Sequence, residues 1–344
     1  WETSEQLDLG LDARFFDHRL SFTFDWYHKK TKDWLVQAPV LASYGTAAPY
    51  INGGDVVNKG VELSLGWRDN INDFNYSALI NLSHNKNEVT RIANTEKIIH
   101  SGVRLGNVAS EFARAEEGYP IGYFYGYQTD GLFQTPEDVQ NYKNSEGVVI
   151  MPNAVPGDVR FVDRNDDGII DDKDKTMIGK SNPDYNLGIN LNMSYKGFDL
   201  TLVASGVFGN DILRAYRMPD SPSQNYTSEI LGRWTGPGTS NSIPRISSGN
   251  HINRSYISDL YLEDGSYVRM SNVTLGYDFK KLWKSLPFEQ VRFYISAQNL
   301  FTITGYSGMD PEIGTSTGEN WISGVDFGFY PTPRTFMVGA SIKF

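Results

Sequence analysis

The sequence predicts an all-β, antiparallel β-barrel fold, and three observations carry that prediction. Apolar side chains recur with period two in nine separate segments. The connections between those segments alternate short and long. The composition is rich in rings and turn formers, with 7 Trp, 20 Tyr, 19 Phe and 33 Gly among 344 residues. Side chains on an extended backbone point alternately to opposite faces, so a period of two marks a strand with one apolar face.

Taken in order, "LDLGLDARF" sets Leu7, Leu9, Leu11, Ala13 and Phe15 against Asp8, Gly10, Asp12 and Arg14. After the short "FDHR", "LSFTFDWYH" sets Leu20, Phe22, Phe24 and Trp26 against Ser21, Thr23, Asp25 and Tyr27. A long stretch at about 37–57 leads to "GVELSLGWR", with Val61, Leu63, Leu65 and Trp67 opposite Glu62, Ser64 and Arg68. "DNIND" turns the chain into "NYSALINLSH", and a very long connection, about 91–184, precedes "NLGINLNMSYK". There Leu187, Ile189, Leu191 and Met193 oppose Asn190, Asn192 and Ser194. "YKG" joins it to "FDLTLVASGVF"; residues 209–266 are again long; "VTLGYDF" and "VRFYISAQNLF" are joined through "KKLWKSLP". A last long connection, about 303–333, ends in "PRTFMVGASIKF", where Phe336, Val338, Ala340, Ile342 and Phe344 share one face.

Short–long alternation is the layout of an up-and-down membrane barrel, with tight turns on one side and large loops on the other. No window approaches the roughly 18 apolar residues of a spanning helix, but a barrel strand needs only about 10 residues, alternately apolar. On this reading the apolar face meets lipid and the Asn, Ser, Asp and Arg face lines a wet lumen. The competing reading is amphipathic sheets packed on a core, a soluble calcium-stabilised β-rich binding or adhesion module. With 31 Lys plus Arg against 41 Asp plus Glu, the net charge is −10, and no basic stripe suits nucleic acid. There is no cysteine, hence no disulfide frame and no thiolate metal site. If the last strand descends from an outer loop, parity makes the first strand descend too and puts residue 1 on the loop side. Single-chain bacterial barrels have even strand numbers, so nine strands are expected to be part of a larger wall.

The chain resembles the carboxy-terminal part of a SusC/RagA-type TonB-linked outer-membrane transporter of the Bacteroidetes. The resemblance is carried by "WETSEQLDLGLDARFFDHRLSFTFDWYHKKTKD", "VVNKGVELSLGWR", "YPIGYFYGYQTDGLFQTPEDV", "PGDVRFVDRNDDGIIDDKDKTMIGKSNPDYNLGINLNMSYKGFDL", "YVRMSNVTLGYDF", "RFYISAQNLFTITGYSGMDPEI" and "PRTFMVGASIKF", in that order. It implies a transmembrane barrel of 22 strands, of which these nine would be the last, with long extracellular loops. It also implies that the plug domain, the TonB-contacting segment and the earlier strands lie outside these residues. The implied activity is TonB-dependent import of an oligomeric nutrient, glycan or peptide, together with a SusD-like surface lipoprotein. The implied partners are that lipoprotein, the TonB complex, the amino-terminal part of the same transporter and outer-membrane lipid. A final aromatic residue such as Phe344 resembles the signal read by the barrel-assembly machinery.

The sharpest local motif is "DRNDDGIIDDKD", residues 163–174. It matches a twelve-residue calcium loop: Asp163, Asn165 and Asp167 at positions one, three and five, Gly168 at the turn, and the Ile169 carbonyl at seven. Asp171 stands at nine and Asp174 at twelve, where Glu is usual. The flanks are not helical, so an EF-hand is not expected. Six carboxylates in twelve residues repel one another unless neutralised, which points to a structural calcium pinning the 91–184 loop. "YPIGYFYGYQTDGLF" gathers Tyr119, Tyr123, Phe124, Tyr125, Tyr127 and Phe133, which either line a substrate cavity or pack the loop. Trp234, Tyr256, Tyr261 and the stretch 305–314 pose the same alternative. His18, His28, His84, His100 and His251 are scattered, and neither a phosphate-binding glycine loop nor a nucleophile elbow is present, so no catalytic residue is predicted. A glycan-degrading enzyme would need a carboxylate pair that nothing in the sequence singles out.

Overall fold

The computed structural model describes residues 1–37, 45, 49–103, 105, 111–217, 225–247, 251–314 and 319–344. Nine strands form one antiparallel sheet: β1 (Thr3–Phe15), β2 (Leu20–Gln37), β3 (Tyr50–Ile71), β4 (Phe74–Ile92), β5 (Tyr185–Tyr195), β6 (Phe198–Phe208), β7 (Tyr267–Asp278), β8 (Gln290–Thr304) and β9 (Thr335–Lys343). Each inner strand pairs with its predecessor and its successor, and β1 and β9 are the edges, so the sheet is a meander of all nine predicted strands in chain order. The two tightest turns show how the register is set. Tyr195 pairs with Phe198 across Lys196 and Gly197, whose φ angles of 45° and 96° are both positive. That is the two-residue hairpin geometry whose twist matches the strands it joins. Asn72 (φ 53°) begins the turn between Ile71 and Phe74.

The register assembles the alternation of single strands into continuous rows. One row runs Phe15, Leu20, Trp67, Ala78, Leu191, Leu202, Val273, Ala297 and Phe336, apolar across all nine strands. One residue along, the opposite face carries Arg68, Ser77, Asn192, Thr201, Thr274 and Ser296. These polar groups bond to one another: Thr201 donates to Asn192 at 3.0 Å, and the hydroxyls of Thr274 and Ser296 lie 2.8 Å apart. The apolar face has no protein core against it, with Phe336 69% and Val338 83% exposed. A soluble sheet would bury this face; a membrane wall presents it to lipid.

The strands differ from the sequence expectation in length. β2 continues to Gln37 and β3 begins at Tyr50, so residues 50–57 of the 37–57 stretch read as loop belong to the wall. Gly53, Gly54 and Asp55 interrupt the alternation there, and the β3–β4 pairing shifts register between Asp55 and Val56, a bulge that hides the strand from a period-two reading. With 22 residues at about 3.3 Å each, β3 is roughly 70 Å long, whereas about 9–11 residues cross a bilayer. The two-residue turns fix one end of the sheet, so the surplus length projects at the other.

At that end the three later connections, 93–184, 209–266 and 305–334, build a cap with its own sheets. Residues Ile98–His100, Ala113–Glu116, Tyr123–Tyr127 and Lys175–Gly179 form a four-stranded sheet. Asp211–Arg214 pairs antiparallel with Leu262–Asp264 and parallel with Val325–Asp326, which stitches two connections together. Thr129–Leu132 pairs with Val159–Phe161. Ten of the eleven largest fully buried side chains lie in this cap, and the eleventh, Val89, sits near the end of β4 beneath it. The molecule's apolar core is therefore in the loops and not in the wall.

Candidate functional site

Three apolar clusters hold the cap together. The first draws Phe112, Phe124, Leu213, Ile257, Ile322 and Val325 from all three connections. The second gathers Tyr127, Leu132, Phe133, Val139, Val159 and Phe161, with Trp234, Tyr256 and Leu260 against it. The third seats the cap on the wall through Val56, Val89, Ile92 and Ala115, with Trp34 and Trp321. The alternative left open for the aromatic stretch is thereby decided in favour of packing. Tyr123, Phe124, Tyr125, Tyr127 and Phe133 are buried, and only Tyr119 of that group is exposed. Tyr127 stacks on Tyr256 at 4.4 Å, and Phe161 meets both rings edge-on. Tyr261 and Tyr306 are buried as well.

Buried ion pairs reinforce this packing. Asp158, 1% exposed, accepts from Arg245 Nε at 2.7 Å, from Asn253 Nδ2 at 2.9 Å and from the Val155 amide at 3.0 Å. It thus ties the 93–184 connection to the 209–266 one. Arg269, near the start of β7, reaches Asp310 and Glu312 of the last connection, the latter at 2.6 Å. Arg214 is paired with Glu263 and, at 3.1 Å, with Glu229. Asp211 is held above the ordinary carboxyl range by burial, opposed by the Lys180 amide that donates to it at 2.9 Å.

The loop 163–174 is sewn onto this cap. The Tyr142 hydroxyl donates to the Phe161 carbonyl at 2.6 Å, and Asn144 Nδ2 donates to the Asp166 carbonyl at 3.1 Å. The chain leaves the loop into Lys175–Gly179, which pairs with Tyr123–Tyr127. Asp166 and Gly168 both adopt positive φ, 62° and 82°, wrapping the chain tightly around the carboxylates of the preceding turn. Asp163 accepts from the amides of Asp166 at 2.7 Å and Gly168 at 2.8 Å. Asn165 accepts from the Asp167 amide at 3.1 Å, and Asp167 from the Ile169 amide at 3.0 Å. Asp171 accepts from the Lys173 amide at 2.8 Å. Asp174, fully buried, accepts from the amides of Arg164 and Asp171, both at 2.8 Å, and so closes the loop end to end. Ile169 is 63% exposed. The Asn165 amide beside Asp167 holds that carboxyl below its ordinary range, with Lys173 contributing at 3.5 Å. Lys175 does the same for Asp172 at 2.7 Å. All six predicted residues thus belong to one closed turn. Among the described residues no three acidic or histidine side chains converge as an ion's ligand set, the oxygens being directed at loop amides. The donor types, carboxylate, amide and carbonyl oxygen, are those a hard cation takes.

A cleft of about 140 Å³ opens in the cap between Tyr216, residues 225–247 and residues 253–261. Its lining includes Tyr216, Tyr226, Ile230, Ile243, Ser247 and Arg254. No short-range pattern marks these residues, which converge only through the tertiary fold of the cap.

A nine-stranded meander with an outward apolar band, tight turns at one end and a folded cap at the other defines a transmembrane β-barrel wall of the outer-membrane type. A family model described as "TonB dependent receptor-like, beta-barrel" matches residues 1–208, and the chain belongs to that family. TonB-dependent receptor P3 of Formosa agariphila is 34% identical over 352 residues, covering 100% of this chain and 34% of the relative. TonB-dependent receptor SusC of Bacteroides thetaiotaomicron is 29% identical over 354 residues, covering 100% of this chain and 32% of the relative. Among solved structures, one described as the RagAB peptide transporter superposes with a TM-score of 0.78 at 24% identity, covering 100% of this chain and 35% of the matched one. The chain thus spans about a third of the length of the relatives it matches. Like them it is an outer-membrane protein, and the relatives are receptors, not enzymes.

Proposed function

We propose that this chain supplies wall and outer cap to a TonB-dependent importer of an oligomeric nutrient, glycan or peptide. In this reading the cap faces the outside, a SusD-like lipoprotein covers it, and a plug elsewhere in the transporter is pulled by TonB to admit the captured substrate to the periplasm. The observation that carries the reading is the folded cap itself. A family barrel whose three long connections share one core has a rigid outer mouth, which capture requires and a simple pore does not. The relatives named SusC and RagAB support the same assignment.

Intact-mass spectrometry of the detergent-extracted complex tests it. The reading expects this sequence together with a plug, about 13 further strands and a lipoprotein. A water-soluble species of this chain alone would overturn it.

The loop 163–174 fits into this reading as a structural calcium site, with Asp163, Asn165, Asp167, Asp171, Asp174 and the Ile169 carbonyl as the ligands. Its support is the one–three–five spacing, the positive φ at Asp166 and Gly168, and the crowding of six carboxylates in twelve residues. The ion would act by holding the 93–184 connection closed against the ring cluster around Tyr127, and takes no part in substrate chemistry. Calorimetric titration with calcium, before and after chelation, tests it.

A further inference from the structure

The outward face of the wall is apolar row by row until, on the cap side, it meets a row that carries charge. The last row before it sets Leu9, Trp26, Val61, His84 and Tyr185 side by side on β1 to β5. One step nearer the cap the same face carries Leu7, His28, Lys59 and Lys86. Trp26 and Tyr185 are the residue types that mark a membrane–water boundary. His28 stacks beside Trp26 at 6.5 Å, and His84 lies 4.8 Å from Tyr185. Toward the turns, Leu63, Leu65 and Trp67 of β3 continue the lipid-facing rows. Lys59 and Lys86 therefore stand at headgroup level and point out of the barrel.

Lys59 and Lys86 are direct cross-strand partners, and both are exposed. Like charges directly opposite one another in an antiparallel pair destabilise it, the more so beside lipid, where the dielectric is low. Neighbouring carboxylates do not resolve the conflict. Glu88 lies 3.1 Å from Lys86. Glu5 is paired with Lys32, and Asp55 lies 3.0 Å from both Lys30 and Arg91. Lys59 makes no ion pair among the described residues. The face thus holds an unneutralised ammonium next to a second one, directly above apolar side chains.

We propose that Lys59 and Lys86 bind the phosphate group of an outer-leaflet lipid, whose acyl chains lie over Val61, Leu63 and Leu82. Charge complementarity selects this occupant. The phosphate oxygens accept from both ammoniums at once and remove the repulsion between them, while the apolar rows beneath take the chains. A soluble anion would use only the first of these features. The inference depends on the cap facing outward, as the long loops of such barrels do, and is independent of what the transporter imports.

The test is native mass spectrometry of the full-length, detergent-purified transporter titrated with lipid A, dephosphorylated lipid A, phosphatidylglycerol and inorganic phosphate. Lys59→Gln/Lys86→Gln should lose one bound lipid A, its site weakened about thirtyfold, since each lysine beside a charged lipid is worth about fivefold. Lys59→Arg/Lys86→Arg should keep that lipid. Both variants alter exposed side chains and should retain the heat-modifiable migration of a folded barrel. Dephosphorylated lipid A should bind the unaltered protein no better than lipid A binds the glutamine variant. Equal occupancy of the unaltered protein by the two forms of lipid A overturns the proposal without recourse to any variant. Equal retention of lipid A by the unaltered protein and the glutamine variant also overturns it. Tighter binding of inorganic phosphate would assign a soluble anion, and tighter binding of phosphatidylglycerol an inner-leaflet headgroup; either result overturns the outer-leaflet assignment.

Discussion

Replacing Phe161 by Ala should open the cap while leaving the wall intact. The ring is fully buried, lies 5.7 Å from Tyr127 and 5.3 Å from Tyr256, and packs with Leu132, Phe133, Val139 and Val159. Truncating a buried Phe costs about 3–5 kcal/mol through lost transfer energy and the cavity left behind. Against a domain stability of about 5–15 kcal/mol, that raises the open population of the cap by roughly 10²–10⁴-fold. The wall shares no residue with this cluster. Limited proteolysis of the full-length detergent-purified protein reports on the cap, and heat-modifiable migration on a gel reports on the barrel. Phe161→Ala should speed cleavage within residues 129–161 by that factor and leave the barrel's melting temperature within a degree or two. Concerted loss of both signals would refute the separation of cap and wall, and an unchanged cleavage rate would refute the claim that this cluster holds the cap.

Further predictions concern charge, membrane and metal. Asp211 has its carboxyl raised by burial, so its protonated form suits the folded cap and its contribution to stability is lost as pH rises through that range. Asp211→Asn should therefore gain in cap melting temperature relative to the parent as pH increases from 4 to 7; a difference that is flat or falls with pH would contradict this. Arg269→Met strands the buried Asp310 and should cost about 3–5 kcal/mol, read as faster hydrogen exchange in 305–314 and 319–334. Calcium at 100 times its dissociation constant should stabilise the cap by about 2.7 kcal/mol, an effect abolished in Asp163→Asn/Asp167→Asn. An equal response in that double variant would remove the ion from residues 163–174.

How much of this was legible in the sequence depended on whether the contacts were local. All nine wall strands could be read because each carries its own signal: Leu63 and Leu65 on one face, Glu62 and Ser64 on the other, with lipid the same neighbour everywhere. The upper half of β3 escaped because Gly53, Gly54 and the bulge at Asp55 break the period that would have shown it. The cap escaped almost entirely. Phe112, Leu213, Ile257 and Val325 share one core, yet the closest pair in sequence is more than forty residues apart, and no short-range rule pairs them. The turn at 163–174 was visible because its residues are consecutive and its glycine is needed at φ 82°.

The most direct test of the account is a cysteine scan along β3 in the assembled full-length barrel, which is straightforward in a segment that contains no cysteine. Positions 61 to 67 would be replaced one at a time and probed with a fluorophore, a lipid-borne quencher and a water-soluble one. Leu63 and Leu65 should be quenched from lipid, and Ser64 and Gly66 from water, alternating residue by residue. A pattern without that alternation, or with the two faces reversed, would contradict a membrane wall whose apolar rows face the bilayer.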